Sequence, residues 1–439
     1  MTLTRRTLMS LPIALPFLNL AARAGVNEAP YFPPADAQGG WRTVDLDSMT
    51  RVVGGLEKTR LDDAFEYIKT SCRHGGLLVL RHGYLVYERY FGRASREARP
   101  NMHSIGKMFT SVSCGIMLSE HEDVFPDSLA QKVFTRDFLP EAFPLDDQRM
   151  ADIRIGNLLT MTSGISRANF ISAGSQVPPS AGRSTGIVHG ENVDVPSWYS
   201  GDSAYDPIES QDGSAVHGRM WTSPGEGYLY GRDPHVASMI LRRVAGMELQ
   251  EFINQRLARP MGFGAWGYAI HLANGDLPHT PGEAGIALGS TDILRFGYML
   301  LNRGMWGSKQ LVPRRYVELL SQPSPFNPHS PFSLMFEMNA DGHVPRVPRD
   351  AYFKSGAGGC AMYVVPSLDM VIYKMGEADD PIETNLPSAN NPHPDTSRDS
   401  WKPHPFNQFS DGPVEGDTGV RRTLELVCMA RLEQGQWRG

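Results

Sequence analysis

The order of periodic segments along these 439 residues predicts an α/β (α+β) protein, an antiparallel β-sheet flanked by helices and interrupted by a mainly helical subdomain. Three observations carry that reading. An amphipathic helix runs straight into a hairpin pattern, a buried helix follows, and strand patterns return only in the C-terminal third. In order, 61–72 places Leu61, Ala64, Phe65 and Ile68 on one helical face. The runs 76–80 and 84–90 flank the turn Arg81-His82-Gly83 as a hairpin. Ile105, Met108, Phe109, Val112 and Ile116 recur at helical spacing, so a buried helix begins at Ser104. Helical patterns dominate from about 105 to 300, at 128–135, 153–162, 233–246, 248–260 and 291–303. A Gly/Ser/Pro/Asp-rich stretch, 165–223, interrupts them, and its Trp198-Tyr199 and Trp221 suit a lid or pocket wall. A helix at 313–321 precedes strands at 333–338, 351–354, 360–366 and 369–375; 377–416 reads as coil and 417–433 as a closing helix. The main domain is thus 51–439, after an extension at 25–50, with its sheet drawn from about 60–100 and 330–376.

A net charge of -6, with 21% charged residues and no basic run, argues against nucleic acid as the main partner. Cysteines 72, 114, 360 and 428 lack C-x-x-C or metal-like spacing, and Cys114 and Cys360 read as small core residues. His103, His217 and His235 are isolated, which disfavours a metal site. Residues 1–24 read as an export signal: Thr4-Arg5-Arg6-Thr7-Leu8-Met9 is a twin-arginine box, 11–20 a short apolar core, and Ala22-Arg23-Ala24 a small-x-small cleavage site. That core is too short for a comfortable membrane span, so a periplasmic or secreted protein with no stable span is expected.

Ser104 and Lys107 fall one helical turn apart, on one face. A serine hydroxyl is a poor nucleophile until a neighbouring base takes its proton. A partly desolvated lysine near the positive end of a helix holds its own proton weakly and fits that task. The bland alternative is a capping serine beside an unrelated lysine. With 8 lysines against 34 arginines, this is the only Ser-x-x-Lys in the chain. Two further elements follow in order: Pro224-Gly225-Glu226-Gly227-Tyr228-Leu229-Tyr230-Gly231-Arg232, and Phe353-Lys354-Ser355-Gly356, the only Lys-[Ser/Thr]-Gly.

Ser-x-x-Lys, Tyr and Lys-Ser-Gly in that order resemble the β-lactamase-related serine hydrolases: class C β-lactamases, D-alanyl-D-alanine carboxypeptidases, related esterases and 6-aminohexanoate-dimer hydrolases. The resemblance spans about 60–376 and includes Leu158-Leu159-Thr160-Met161-Thr162-Ser163-Gly164 and the segment 284–297. It implies a β-lactamase/transpeptidase-like fold, Ser104 as acylated nucleophile, Lys107 as its base partner and Tyr230 as catalytic tyrosine, with Tyr228 the competing choice. A phenol near two lysines would have a lowered pKa and could pass the Ser104 proton to the leaving group. Lys354 would supply positive field, the backbone N–H groups of Ser104 and Ala357 the oxyanion donors, and Ser355 and Gly356 a strand edge for substrate. Arg232 stands where the family has an asparagine, which disfavours classical β-lactam recognition and suits an anionic substrate. Ser388-Ala389-Asn390 falls out of order and reads as coincidence. The expectation is an exported serine hydrolase of the class C-like type acting on a small amide or ester, needing no cofactor or metal. The rival is a non-catalytic penicillin-recognising peptide sensor, whose usual mark, loss of the nucleophile or a lysine, is missing here.

Overall fold

The computed structural model describes residues 30–44, 47–165, 183–196, 216, 220–268, 280, 282–376, 383–384, 402–403 and 418–432. The signal-like stretch 1–24, Trp198-Tyr199, His217, Ser388-Ala389-Asn390 and nearly all of 377–416 lie outside the described residues.

Strand β1 (Arg42–Thr43) and helix α1 (Asp47–Gly54) precede α2 (Lys58–Ser71), whose buried face is Leu61, Ala64, Phe65 and Ile68. The hairpin β2 (Gly75–Arg81) and β3 (Tyr84–Phe91) follows. Helix α3 (Gly106–Glu120) is buried from Gly106 to Leu118, its polar side chains Thr110 and Ser111 bonding to backbone carbonyls within the core. Next come α4 (Ile155–Thr160), the hairpin β4 (Arg183–Val188) and β5 (Glu191–Pro196), and α5 (Asp233–Ala245). Helix α6 (Leu249–Ile253) continues through a π turn, Asn254–Ala258, to Arg259–Met261. Then follow β6 (Gly267–Tyr268), β7 (Ile286–Ala287), α7 (Ser290–Leu301), the small hairpin β8 (Met305–Trp306) and β9 (Lys309–Gln310), and α8 (Arg314–Leu319). The last strands are β10 (Phe332–Ser333), β11 (Phe336–Met338), β12 (Tyr352–Ser355), β13 (Ala361–Val365) and β14 (Met370–Met375), and α9 (Val420–Met429) follows.

Eight strands form one sheet in the order β1-β3-β2-β14-β13-β12-β11-β10. Its central strands are apolar on both faces because helices cover both. Leu78, Leu80, Met362, Val364, Val371 and Tyr373 join the core that holds α3 and α7, and Leu77, Val79, Tyr363, Val365 and Ile372 join the one that holds α2 and α9. This alternation at period two is what a sheet sandwiched between helical layers requires.

Four expectations need correction. The sheet is mixed rather than wholly antiparallel, because β1 enters beside β3 in parallel. The predicted helix 128–135 is only a 3-10 turn, Ser128–Ala130; beyond it the backbone pairs with a second segment, Val133 N–H donating to Ile153 O at 3.0 Å and Ile155 N–H to Gln131 O at 3.0 Å. The strand 333–338 is two strands, since Leu334 and Met335 both take positive φ and turn the chain back. Part of 165–223 is strand rather than loop: Ile187 exchanges backbone hydrogen bonds of 2.8 Å with Tyr228, so β4 braces the segment leading to Tyr230.

Candidate active site

Ser104 lies in a 3-10 turn, His103–Ile105, immediately before α3, one turn earlier than the α-helix proper. The residue before it, His103, holds a positive φ of 46°. Such a conformation costs about 1–3 kcal/mol for a residue other than glycine and persists only where its surroundings enforce it. Here they do: Met102 N–H donates to Ile286 O at 2.8 Å, His103 N–H to Asn101 Oδ1 at 2.9 Å, and Gly285 N–H to His103 O at 3.1 Å.

Lys107 is fully buried, and its Nζ donates to Ser104 Oγ at 3.1 Å and to Glu283 O at 2.5 Å. Burial lowers its affinity for a proton, an effect Tyr230 opposes and the Lys354 charge reinforces, and the net displacement is downward. Lys354, at the end of β12, is also buried, yet it is displaced upward: desolvation opposes its charge, but Tyr230 and Glu337 outweigh it. Its Nζ donates to Ser355 O at 3.0 Å and lies 3.6 Å from Glu337 Oε1.

Tyr230 stands between the two lysines. Its ring centroid is 4.9 Å from Lys107 Nζ and 5.1 Å from Lys354 Nζ, and its hydroxyl is hydrogen-bonded with Ser104 and Lys354. Burial alone would push the phenol up; the two ammonium groups overcome that and bring it down to about 8. Tyr228 has no such neighbours. Its ring packs on Phe332 at 5.4 Å, and burial drives its phenol well above the usual range. Of the two tyrosines weighed from sequence, Tyr230 is the one the structure brings to Ser104.

The strand edge meets the serine turn at Gly356. A Cβ there would fall 1.9 Å from Met102 O and 3.2 Å from Ser104 N, so only glycine lets β12 approach this closely. Ala357 follows, exposed, at the start of the short turn Ala357–Gly359. The backbone amides of residues 104 and 357 therefore belong to two abutting segments.

Arg232 is half-buried at the N-cap of α5, and its charge acts on Glu283, a buried carboxylate. The guanidinium thus already lies within electrostatic reach of an anion, which weakens the case for an anionic substrate there. Sequence reasoning missed three residues around it. Glu283 is 2% exposed, and its Oε2 lies 2.8 Å from Nδ1 of His235, itself 3% exposed. His235, read from sequence as isolated, is thus one half of a buried pair. Desolvation opposes the Glu283 charge, but His235, Arg232 and Lys107 prevail and hold the carboxyl at about 2. Asp233, the first residue of α5, accepts from Ser163 Oγ at 2.8 Å and Ser163 N–H at 3.3 Å, tying the end of α4 to the Tyr230 segment. Burial pushes its carboxyl up to about 7 against those two hydrogen bonds. Asp233 could have been suspected from its place beside Tyr-x-Arg, and Glu283 from its place just before the 284–297 segment. All four cysteines are free and buried, and no cluster of three or more metal-ligating side chains occurs among the described residues. No described helix is long and apolar enough to cross a membrane.

Solved structures share this fold at low identity. A candidate 6-aminohexanoate-dimer hydrolase from Bacillus anthracis is 20% identical over 83% of each chain, with a TM-score of 0.55. EstCE1, described as a hydrolase with promiscuous acyltransferase activity, is 16% identical over 73% of this chain and 93% of its own, at 0.54. Simvastatin synthase (LovD) from Aspergillus terreus is 14% identical over 86% and 99%, at 0.52. No curated protein matches significantly. The sequence model of the Beta-lactamase family matches residues 61–387, from α2 past the last strand of the sheet, and the chain belongs to that family.

Proposed function

We propose that the protein is a serine hydrolase that cleaves a small linear amide or ester through an acyl-enzyme on Ser104. The observation that carries this reading is the convergence of one hydroxyl, two amines and one phenol: Ser104 Oγ is 3.1 Å from Lys107 Nζ, and the Tyr230 ring lies about equally far from both lysines. Lys107, whose proton is weakly held, takes the Ser104 proton as Oγ attacks the carbonyl and passes one of its own to the Tyr230 phenolate, which forms above about pH 8. The developing oxyanion is received by the amides of Ser104 and Ala357. The Tyr230 phenol then returns the proton to the leaving amine or alkoxide, and water attacks the ester on Ser104 by the reverse sequence. Lys354 stays charged throughout and keeps the phenol acidic. Ser355 and Gly356 offer a strand edge along which substrate backbone can pair.

A linear amide or ester ranks ahead of a β-lactam because Arg232 replaces the family's asparagine, and its charge acts on Glu283. Residues 1–24 support export by the twin-arginine route, which Arg5→Lys/Arg6→Lys would block in a fractionation assay. The test of the reading is a hydrolysis panel of p-nitrophenyl esters, nitrocefin, D-alanyl-D-alanine peptides and 6-aminohexanoate dimers. Ser104→Ala with an intact fold should lose all hydrolysis. Turnover retained by that variant would remove Ser104 from the mechanism.

A further inference from the structure

Segment 282–286 is clamped between two helices that carry different parts of the site. On the α3 side, Thr110 Oγ1 donates to Gly282 O at 2.6 Å, Lys107 Nζ to Glu283 O, and Gly106 packs so closely on Ala284 that a Cβ would fall 3.3 Å from its Cα. On the α5 side, a Cβ on Gly282 would fall 2.4 Å from Pro234 O, and the Glu283 carboxylate meets His235 at 2.8 Å. Glu283 bridges the two with polar groups: its carbonyl grips the amine of Lys107, and its side chain is anchored on the helix that begins three residues after Tyr230. A carboxylate buried to 2% is tolerated only where charge and hydrogen bonds compensate it. The groups facing it are His235 and Arg232 from α5 and its N-cap, Lys107 from α3, and Tyr268 from β6.

We infer that Glu283 is a positioning residue of this site, a two-ended strut whose carboxylate, balanced by His235 and Arg232, fixes the carbonyl that aims Lys107 at Ser104. This rests on the Ser104 reading above. The strut explains how the Arg232 guanidinium is accommodated beside two lysines: its charge is offset by Glu283, and Lys107 and Tyr230 keep their proton chemistry. It also makes Arg232 and Glu283 energetically coupled, although neither needs to touch substrate.

The experiment is a double-mutant cycle in the full chain, Glu283→Gln, Arg232→Gln and both together, beside the parent and Ser104→Ala. It reads pre-steady-state acylation by a p-nitrophenyl ester, the pH profile of kcat/KM, and the melting temperature. Glu283→Gln should slow acylation by roughly 10–100-fold with KM within about twofold, since orientation rather than binding is lost. Its acidic limb should move to lower pH, because removing an anion makes both Lys107 and Tyr230 easier to deprotonate. The double variant should recover at least about tenfold of the lost rate, and its melting temperature should exceed the sum of the single effects. Losses that simply multiply, or a Glu283→Gln enzyme with unchanged acylation and an unmoved limb, overturn the proposal. If Glu283→Gln does not fold, the double variant decides: a folded enzyme that acylates supports the strut, and an unfolded one overturns it. Should Ser104→Ala still acylate, the nucleophile assignment fails, while the coupling in melting temperature still tests the strut on its own.

Discussion

The two halves of the site hold the same side chain in opposite states. On the helical side Lys107 is surrounded by α3, and its nitrogen meets a hydroxyl and a backbone carbonyl, so desolvation prevails and its proton is loosely held. On the sheet side Lys354 is equally buried, but it faces Glu337 and the Tyr230 phenol, and its charge is secured. Residue type alone therefore does not assign a base. What distinguishes the two amines is whether the anions in reach outweigh desolvation: Tyr230 and Glu283 do not for Lys107, Tyr230 and Glu337 do for Lys354, and between the two amines the Tyr230 phenol is brought down to about 8.

The contrast can be broken from either side. The largest effect is expected on the helical side: Lys107→Met and Tyr230→Phe should each lower kcat/KM by roughly 10²–10⁴-fold, measured by ester hydrolysis, because each removes a group that moves the Ser104 proton. Lys107→Arg should rescue little, since a guanidinium does not give up its proton at working pH. On the sheet side a smaller loss is expected. Lys354→Met should cost roughly tenfold at neutral pH and move the acidic limb of the profile upward. The sign follows from the field: without the second ammonium the phenol holds its proton to higher pH, and activity that rises through about pH 8 in the parent would rise later. A limb moved downward by Lys354→Met would contradict the role of the Lys354 charge in keeping the phenol acidic.

The smallest effect concerns stability. Asp233 has its folded-state carboxyl raised from 3.8 to about 7, so the folded protein retains a proton that the unfolded chain has lost. Its contribution is fully present below about pH 4 and is lost as pH rises through about 7. Asp233→Asn, which can still accept from Ser163, should therefore flatten this dependence and raise the melting temperature at pH 8, by roughly 1 °C for each kcal/mol gained in a chain of this size.

The sequence made Ser104, Lys107 and Lys354 conspicuous because lysine is rare in this chain and each motif occurs once. The family resemblance favours Tyr230 over Tyr228, and the two rings occupy different environments, one between ammonium groups and one against Phe332. Helices with a clear apolar stripe, such as α2 and α3, were legible for the same reason that they are buried. The segment 128–135 was misread because Leu129, Val133 and Phe134 are spaced as in a helix, whereas their backbone is taken up by pairing with 153–155. The hairpin at 183–196 was hidden by a composition that reads as loop; its pairing with Tyr228 is a tertiary fact. Glu283 left no local signal either. A single acidic residue between Gly282 and Ala284 acquires meaning only when α3 and α5 close on it.

Covalent trapping tests the central claim most directly. The protein would be quenched during turnover of a slowly deacylating ester, then digested and its peptides weighed. The account predicts the acyl group on the peptide that carries Ser104, in the parent chain and not in Ser104→Ala. An adduct on another residue, or a Ser104→Ala protein that still accumulates one at the parent rate, would contradict it.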